Sequence, residues 1–214
     1  MHRIIGATLL LWIGAIQPGL AQSGKSEPIP DQVWSNMQGR SWHPSFGCPS
    51  RDKLVLLTVP YHDFSGQMRL GQLVVAKESA EEIVIVFDEI FKSDFRIERM
   101  ELIDAYGGND NASMEKNNTS AFNCRLKTNG KTLSAHSFGT AIDINPIQNP
   151  YVSKNMILPK AGENFARLKN RTSDKVGVIV NGGAVTTAFM RQKWQWGGSW
   201  KKTKDYQHFS KSGD

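Results

Sequence analysis

Residues 134–146 read SAHSFGTAIDINP. They place His136 just before a glycine turn and Asp143 seven positions later, inside an otherwise apolar strand. A carboxylate in apolar surroundings needs a partner, and no lysine or arginine lies within the stretch to provide one. Strand alternation in AIDIN turns Ala141, Asp143 and Asn145 one way and Ile142 and Ile144 toward the core. The partner of Asp143 therefore has to come from another part of the chain.

The far C-terminus offers one. There DYQH, residues 205–208, sets Asp205 three positions before His208, and on a helical turn such a pair shares a face. With His136 and Asp143 the chain then has two imidazoles and two carboxylates in two clusters. Two histidines and one carboxylate with a fourth position open form a catalytic zinc ligand set. The second carboxylate is left to act as a base on water. Spacing alone does not decide this, because a histidine beside a turn is more often a structural hydrogen-bonder and Asp-x-x-His recurs by chance. His43 and His62 stand in an arm and a hairpin region and read as ordinary surface or packing residues.

SAHSFGTAIDINP taken with WGGSWKKTKDYQHF resembles the zinc peptidases of bacterial cell walls. These are D-alanyl-D-alanine carboxypeptidases, D-Ala-D-Ala dipeptidases and L-alanyl-D-glutamate endopeptidases, which share a Hedgehog-like fold. Their pattern is Ser-x-His, an aspartate seven positions on, and a distal acid-x-x-His after Trp-Gly-Gly-x-Trp. Ser134, His136, Asp143, Asp205 and His208 fill every position, and NNTSAFNCR resembles the branch with Asn-Cys-Arg ahead of the first ligand. The likeness runs from about Leu70 to Phe209. It implies zinc held by His136, Asp143 and His208, Asp205 as general base, Arg125 as a clamp on the substrate carbonyl, and Ser134 as a substrate contact or a purely structural hydroxyl. Gln195 departs from the pattern where an acid often precedes Trp196, and Phe138 stands where many relatives carry Tyr. The zinc ion would supply the positive charge that Asp143 lacks locally, and Gly139 would let the backbone turn between the two ligands.

Around this motif the chain of 214 residues reads as one α+β domain, a small antiparallel sheet with flanking helices. Residues 1–21 have Arg3, an apolar run from Ile4 to Ile16 and Gly19-Leu20-Ala21, the pattern of a secretory signal; the run is short for a membrane span. Residues 22–52, rich in Ser, Pro and Gly, read as a surface-wrapping arm, and 53–214 as the peptidase domain. KLVLLTV (53–59) and LGQLVVA (70–76) read as strands. A helix follows from Ser79, with Ser79 and Glu82 as a capping box. Residues 96–106 read as another strand, 109–123 as a long polar loop, and a helix is expected after Gly182-Gly183. Asn111, Asn117 and Asn118 begin glycosylation-type triplets that loop chemistry explains equally well. Trp194, Trp196 and Trp200 read as packing behind His208 in preference to stacking on sugars.

Cys48 and Cys124 are an even count in an exported chain, which favours one disulfide over two buried thiols. The net charge of +6 permits contact with an anionic polymer, but no basic stripe interleaved with aromatics points to nucleic acid. The expected function is hydrolysis of peptidoglycan stem peptides in the periplasm or outside the cell, without stable membrane insertion. A zinc-containing cell-wall-binding module that has lost turnover is the alternative, and the presence of Asp205 favours the enzyme.

Overall fold

The apolar runs expected as strands form a long hairpin around which the rest of the chain is built. In this computed structural model, which describes residues 23–128 and 130–213, the elements run β1 (Lys25–Pro28), α1 (Asp31–Met37), β2 (Leu54–His62), β3 (Met68–Ala76), α2 (Ala80–Lys92), β4 (Arg99–Met100), α3 (Asp110–Glu115), β5 (Asn118–Thr119), β6 (Ala141–Asp143), β7 (Tyr151–Val152), β8 (Ile157–Leu158), α4 (Ala184–Arg191), β9 (Gln195–Trp196), β10 (Lys204–Asp205) and β11 (His208–Ser210). This is an α+β architecture with small, mostly antiparallel sheets; β4 and β5 pair in parallel. The expected signal segment lies outside the described residues. No helix among the described residues is long and apolar enough to cross a membrane.

Strands β2 and β3 pair antiparallel from Leu54↔Ala76 to His62↔Met68. Period-two alternation sends Val55, Leu57, Val59 and Tyr61 into the larger core, with α2 and α4 against it. Leu54 and Leu56 point the other way, into a second cluster with Ile29, Met37, Phe122 and Cys124. Burial on both faces explains why KLVLLTV is a continuous apolar run. The second cluster is closed by the segment expected as a surface arm. It adds β1 to the edge of β2 and buries Ile29 and Met37, so it is packed structure and not a wrapping.

Three local expectations are corrected. Helix α2 buries Ile83, Val86, Phe87 and Ile90 at helical spacing, but the capping box does not form. Ser79 already has helical backbone (φ −99°, ψ −5°) as the end of a tight turn, and its side chain makes no cap bond. Glu82 instead accepts from Trp194 Nε1 at 3.1 Å and pairs with Lys211. Residues 96–106 form only the two-residue β4 and a 3-10 turn at Ile103–Tyr106. The buried apolar residues there, Ile97, Met100 and Ile103, recur every third position, a spacing that a strand cannot keep on one face. The polar segment 109–123 holds α3, capped by Asn109 Oδ1 accepting from Ala112 N at 3.0 Å, and then β5. Asn118, in β5, is fully buried with its amide donating to Glu101 O and Ser113 Oγ, so a structural hydrogen-bonding role accounts for it.

The site is carried by a three-stranded sheet in the order β6-β11-β9. Its apolar face is well filled: Phe209 stacks on Phe189 with ring centroids 4.1 Å apart, and Ile142 and Ile144 are fully buried. Trp196 Nε1 donates to Tyr206 O at 2.9 Å, which pins β9 behind the final strand. Trp194 and Trp196 are packing residues, 2% and 8% exposed, whereas Trp200 is only partly buried, with its ring 5.7 Å from that of His208 at the edge of the cavity.

Candidate metal centre

Register brings the two clusters of the sequence together. Strand β11 pairs antiparallel with β6 so that His208 stands directly opposite Asp143. His136 reaches the same spot from a 3-10 turn, Ala135–Phe138, which Ser134 caps by accepting from His136 N at 3.3 Å. The turn ends at Gly139 with φ +69°, where a Cβ would lie 2.4 Å from Ala76 N; only glycine fits.

The three side chains converge. His136 Nε2 lies 3.2 Å from His208 Nδ1 and 3.2 Å from Asp143 Oδ2, and His208 Nδ1 lies 3.0 Å from Asp143 Oδ1. Four ligands held tetrahedrally at zinc distances stand about 3.3 Å apart, so this triangle needs little adjustment to hold such an ion. All three residues are buried, between 3% and 5% exposed. Burial disfavours the Asp143 carboxylate, but the two imidazoles outweigh it and hold the group well below the usual carboxylate range.

One backbone atom decides what His136 presents. Its Nδ1 is 2.6 Å from Ala121 O, and a carbonyl only accepts, so Nδ1 carries a proton and Nε2 is the nitrogen left facing Asp143 and His208. The carbonyl is fixed in turn: Ser120 exchanges both backbone hydrogen bonds with Asp143, at 3.0 and 2.9 Å. The donor set of two imidazole nitrogens and a carboxylate oxygen, buried and oriented by a second contact, fits zinc.

The triad opens into a cavity of about 420 Å³ lined also by Asp110, Arg125, Ser134, Trp200, Asp205 and Gln207. Asp205 does not share a helical turn with His208. It belongs to β10, which pairs with β7, whereas His208 belongs to β11 in a different sheet. Tyr206 and Gln207 make the crossing, and Asp205 O packs on Gly197, where a Cβ would come within 2.7 Å. Gly197 of the Trp-Gly-Gly-x-Trp segment is thus explained by close approach. Asp205 Oδ1 is buried without a hydrogen-bond partner among the described residues. Burial chiefly, and the charge of Asp143, push its pKa up to about 7 against the opposing pull of His208, Gln207 and Arg125.

Arg125 also lines the cavity, and its Nη2 pairs with Asp110 Oδ2 at 2.7 Å. Cys124 beside it is bridged to Cys48, as the cysteine count suggested. Gln195 is exposed at the sheet edge, opposite Ser210, and does not line the cavity. His43 and His62 lie elsewhere, His43 against Arg40 O and His62 stacked on Phe91. Ala121, Asp110 and Gln207 were not singled out from the sequence. A backbone carbonyl leaves no residue-type signal, and for Asp110 the sequence offers only the length of its polar segment, since a loop this long inside a compact domain often borders a functional site.

Residues 128–211 match the family model described as D-alanyl-D-alanine carboxypeptidase. The matched stretch takes in His136, Asp143, Asp205 and His208, and bears out the resemblance drawn from their motifs. It leaves Asp110, Ala121 and Arg125 outside. No curated protein and no solved structure gives a significant match to the chain.

Proposed function

We propose that this chain is an exported zinc metallopeptidase that hydrolyses peptide bonds in peptidoglycan stem peptides, on a Hedgehog-type DD-peptidase fold. The observation that carries the reading is the convergence of His136 Nε2, His208 Nδ1 and Asp143 within 3.2 Å of one another, beside a cavity that Asp205 also lines. The family match supports the substrate class, since its members are described as D-alanyl-D-alanine carboxypeptidases. The disulfide between Cys48 and Cys124 supports export.

His136, Asp143 and His208 would hold the zinc ion, which supplies a Lewis acid for a peptide carbonyl and makes water acidic enough to attack near neutral pH. Asp205 takes the proton of the attacking water and passes it to the leaving amine. Burial favours the neutral acid over the carboxylate, which helps Asp205 hold the proton between the two steps. Arg125 donates to the carbonyl oxygen as negative charge develops on it, where a preorganised donor is most effective. Ser134 already accepts from His136 N, which leaves its own O–H to donate to substrate.

Incubating zinc-loaded protein with defined muropeptides and identifying products by mass spectrometry tests the reading. Expected products come from release of a terminal D-alanine or from an internal cut such as L-alanyl-D-glutamate, and a chelator abolishes both. If no stem peptide of any composition is cut, the reading fails and a zinc-holding wall-binding module takes its place.

A further inference from the structure

We propose that Asp110 is a positioning residue that aims the Arg125 guanidinium into the cavity. This role rests on the peptidase reading above, and both residues lie outside the stretch matched by the family model.

The backbone of Arg125 is pinned beside the His136 turn. Ser137 Oγ accepts from Arg125 N at 3.0 Å and donates to Arg125 O at 2.8 Å. The neighbouring Cys124 is held by the disulfide and by its N–H to Ser41 O at 2.8 Å. These contacts place the Cα and leave a long, rotamer-rich side chain to be directed. The guanidinium is directed by Asp110 Oδ2 on Nη2, at 2.7 Å, with a longer contact from Nη1 to Leu126 O at 3.2 Å. Both partners are about four-fifths buried, so the pair is less screened than a surface one.

Asp110 is itself fixed. It opens α3, whose start Asn109 caps, and Asn123 Nδ2 donates to Gly108 O at 3.2 Å. The helix start and the segment leading to Arg125 are therefore tied to each other. With its charge met by Asp110, Arg125 serves as an oriented donor to a neutral carbonyl and not as a free cation for any anion.

The test is a double-mutant cycle on stem-peptide cleavage by the zinc-loaded full chain, using Asp110→Asn, Arg125→Ala and the pair, with Asp110→Glu as the conservative variant. Asp110→Asn is expected to lower kcat/KM by about 10- to 100-fold, mainly through kcat, with zinc content and melting temperature unchanged. In the Arg125→Ala background the same change costs less than about twofold, and Asp110→Glu recovers part of the loss. A zinc-loaded wild type that cuts no stem peptide overturns the peptidase reading and this role with it. A wild type that cuts, with Asp110→Asn within about twofold of it or with losses that simply multiply, overturns this role alone.

Discussion

The site has two halves that differ in how they are written. Residues 134–143 and 205–208 supply His136, Asp143, Asp205 and His208, and only particular side chains could do the chemistry proposed for them. Residues 109–125 supply the Ala121 carbonyl, Arg125, its Asp110 partner and one end of a disulfide. The first half has a residue-type signature and the second has very little. A family model restricted to residues 128–211 covers the first half and stops short of the second. Ligands are constrained by atom type, whereas supports need only be a carbonyl or a charge in the right place.

The largest expected effect falls on the first half. Replacing His136 and His208 together by Ala removes two of three ligands and should abolish stoichiometric zinc, measured by elemental analysis. Full zinc occupancy in that double variant would break the assignment. Asp143→Ala should weaken zinc binding as well, because three protein ligands become two.

The second half is probed through its bridge. Removing Cys48–Cys124, which closes a loop with 76 residues of separation, costs about 4 kcal/mol in the chain-entropy picture. Chemical denaturation of a Cys48→Ala, Cys124→Ala variant measures this. Turnover should fall more than zinc content does, since the bridge anchors the segment of Ala121 and Arg125 and none of the ligands. Equal losses of metal and turnover would erase the distinction between the halves.

A smaller effect concerns pH in the metal-free protein. Asp205 is raised from 3.8 to about 7, chiefly by burial. A raised carboxyl contributes its full stability below its unfolded pKa and loses it as pH rises through the folded value. The melting temperature of Asp205→Asn relative to wild type should therefore climb between about pH 4 and pH 7 and level off above. Asp143, held low by its imidazoles against burial, runs the other way and loses its contribution in acid. A flat difference across pH 4–7 would contradict the burial of the Asp205 carboxyl. The smallest effect is expected at Gln195→Glu, exposed and away from the cavity, with zinc content and turnover within about twofold of wild type.

Legibility in the fold follows the same physics. Helices α2 and α4 were readable because burial repeats near 3.6 residues and leaves an apolar period in the sequence, and the hairpin of β2 and β3 because its strands carry long apolar runs. The short strands β4, β5, β7, β8 and β10 have two residues each, too few to display a period, and are set by pairing with distant segments. DYQH misled for this reason, since a three-residue spacing looks helical until two separate sheets claim its ends. The arm looked polar because only Ile29 and Met37 of its apolar residues are fully buried, yet these two close a core.

The most direct test of the central claim is one comparison of zinc content and muropeptide cleavage on the same preparations of wild type and Asp205→Ala. If Asp205 is the base and not a ligand, the variant keeps about one zinc per chain and its turnover falls by roughly 10²–10⁴-fold, the range for losing a positioned general base. Cleavage by the variant at the wild-type rate would contradict the account, and loss of its zinc would make Asp205 a ligand.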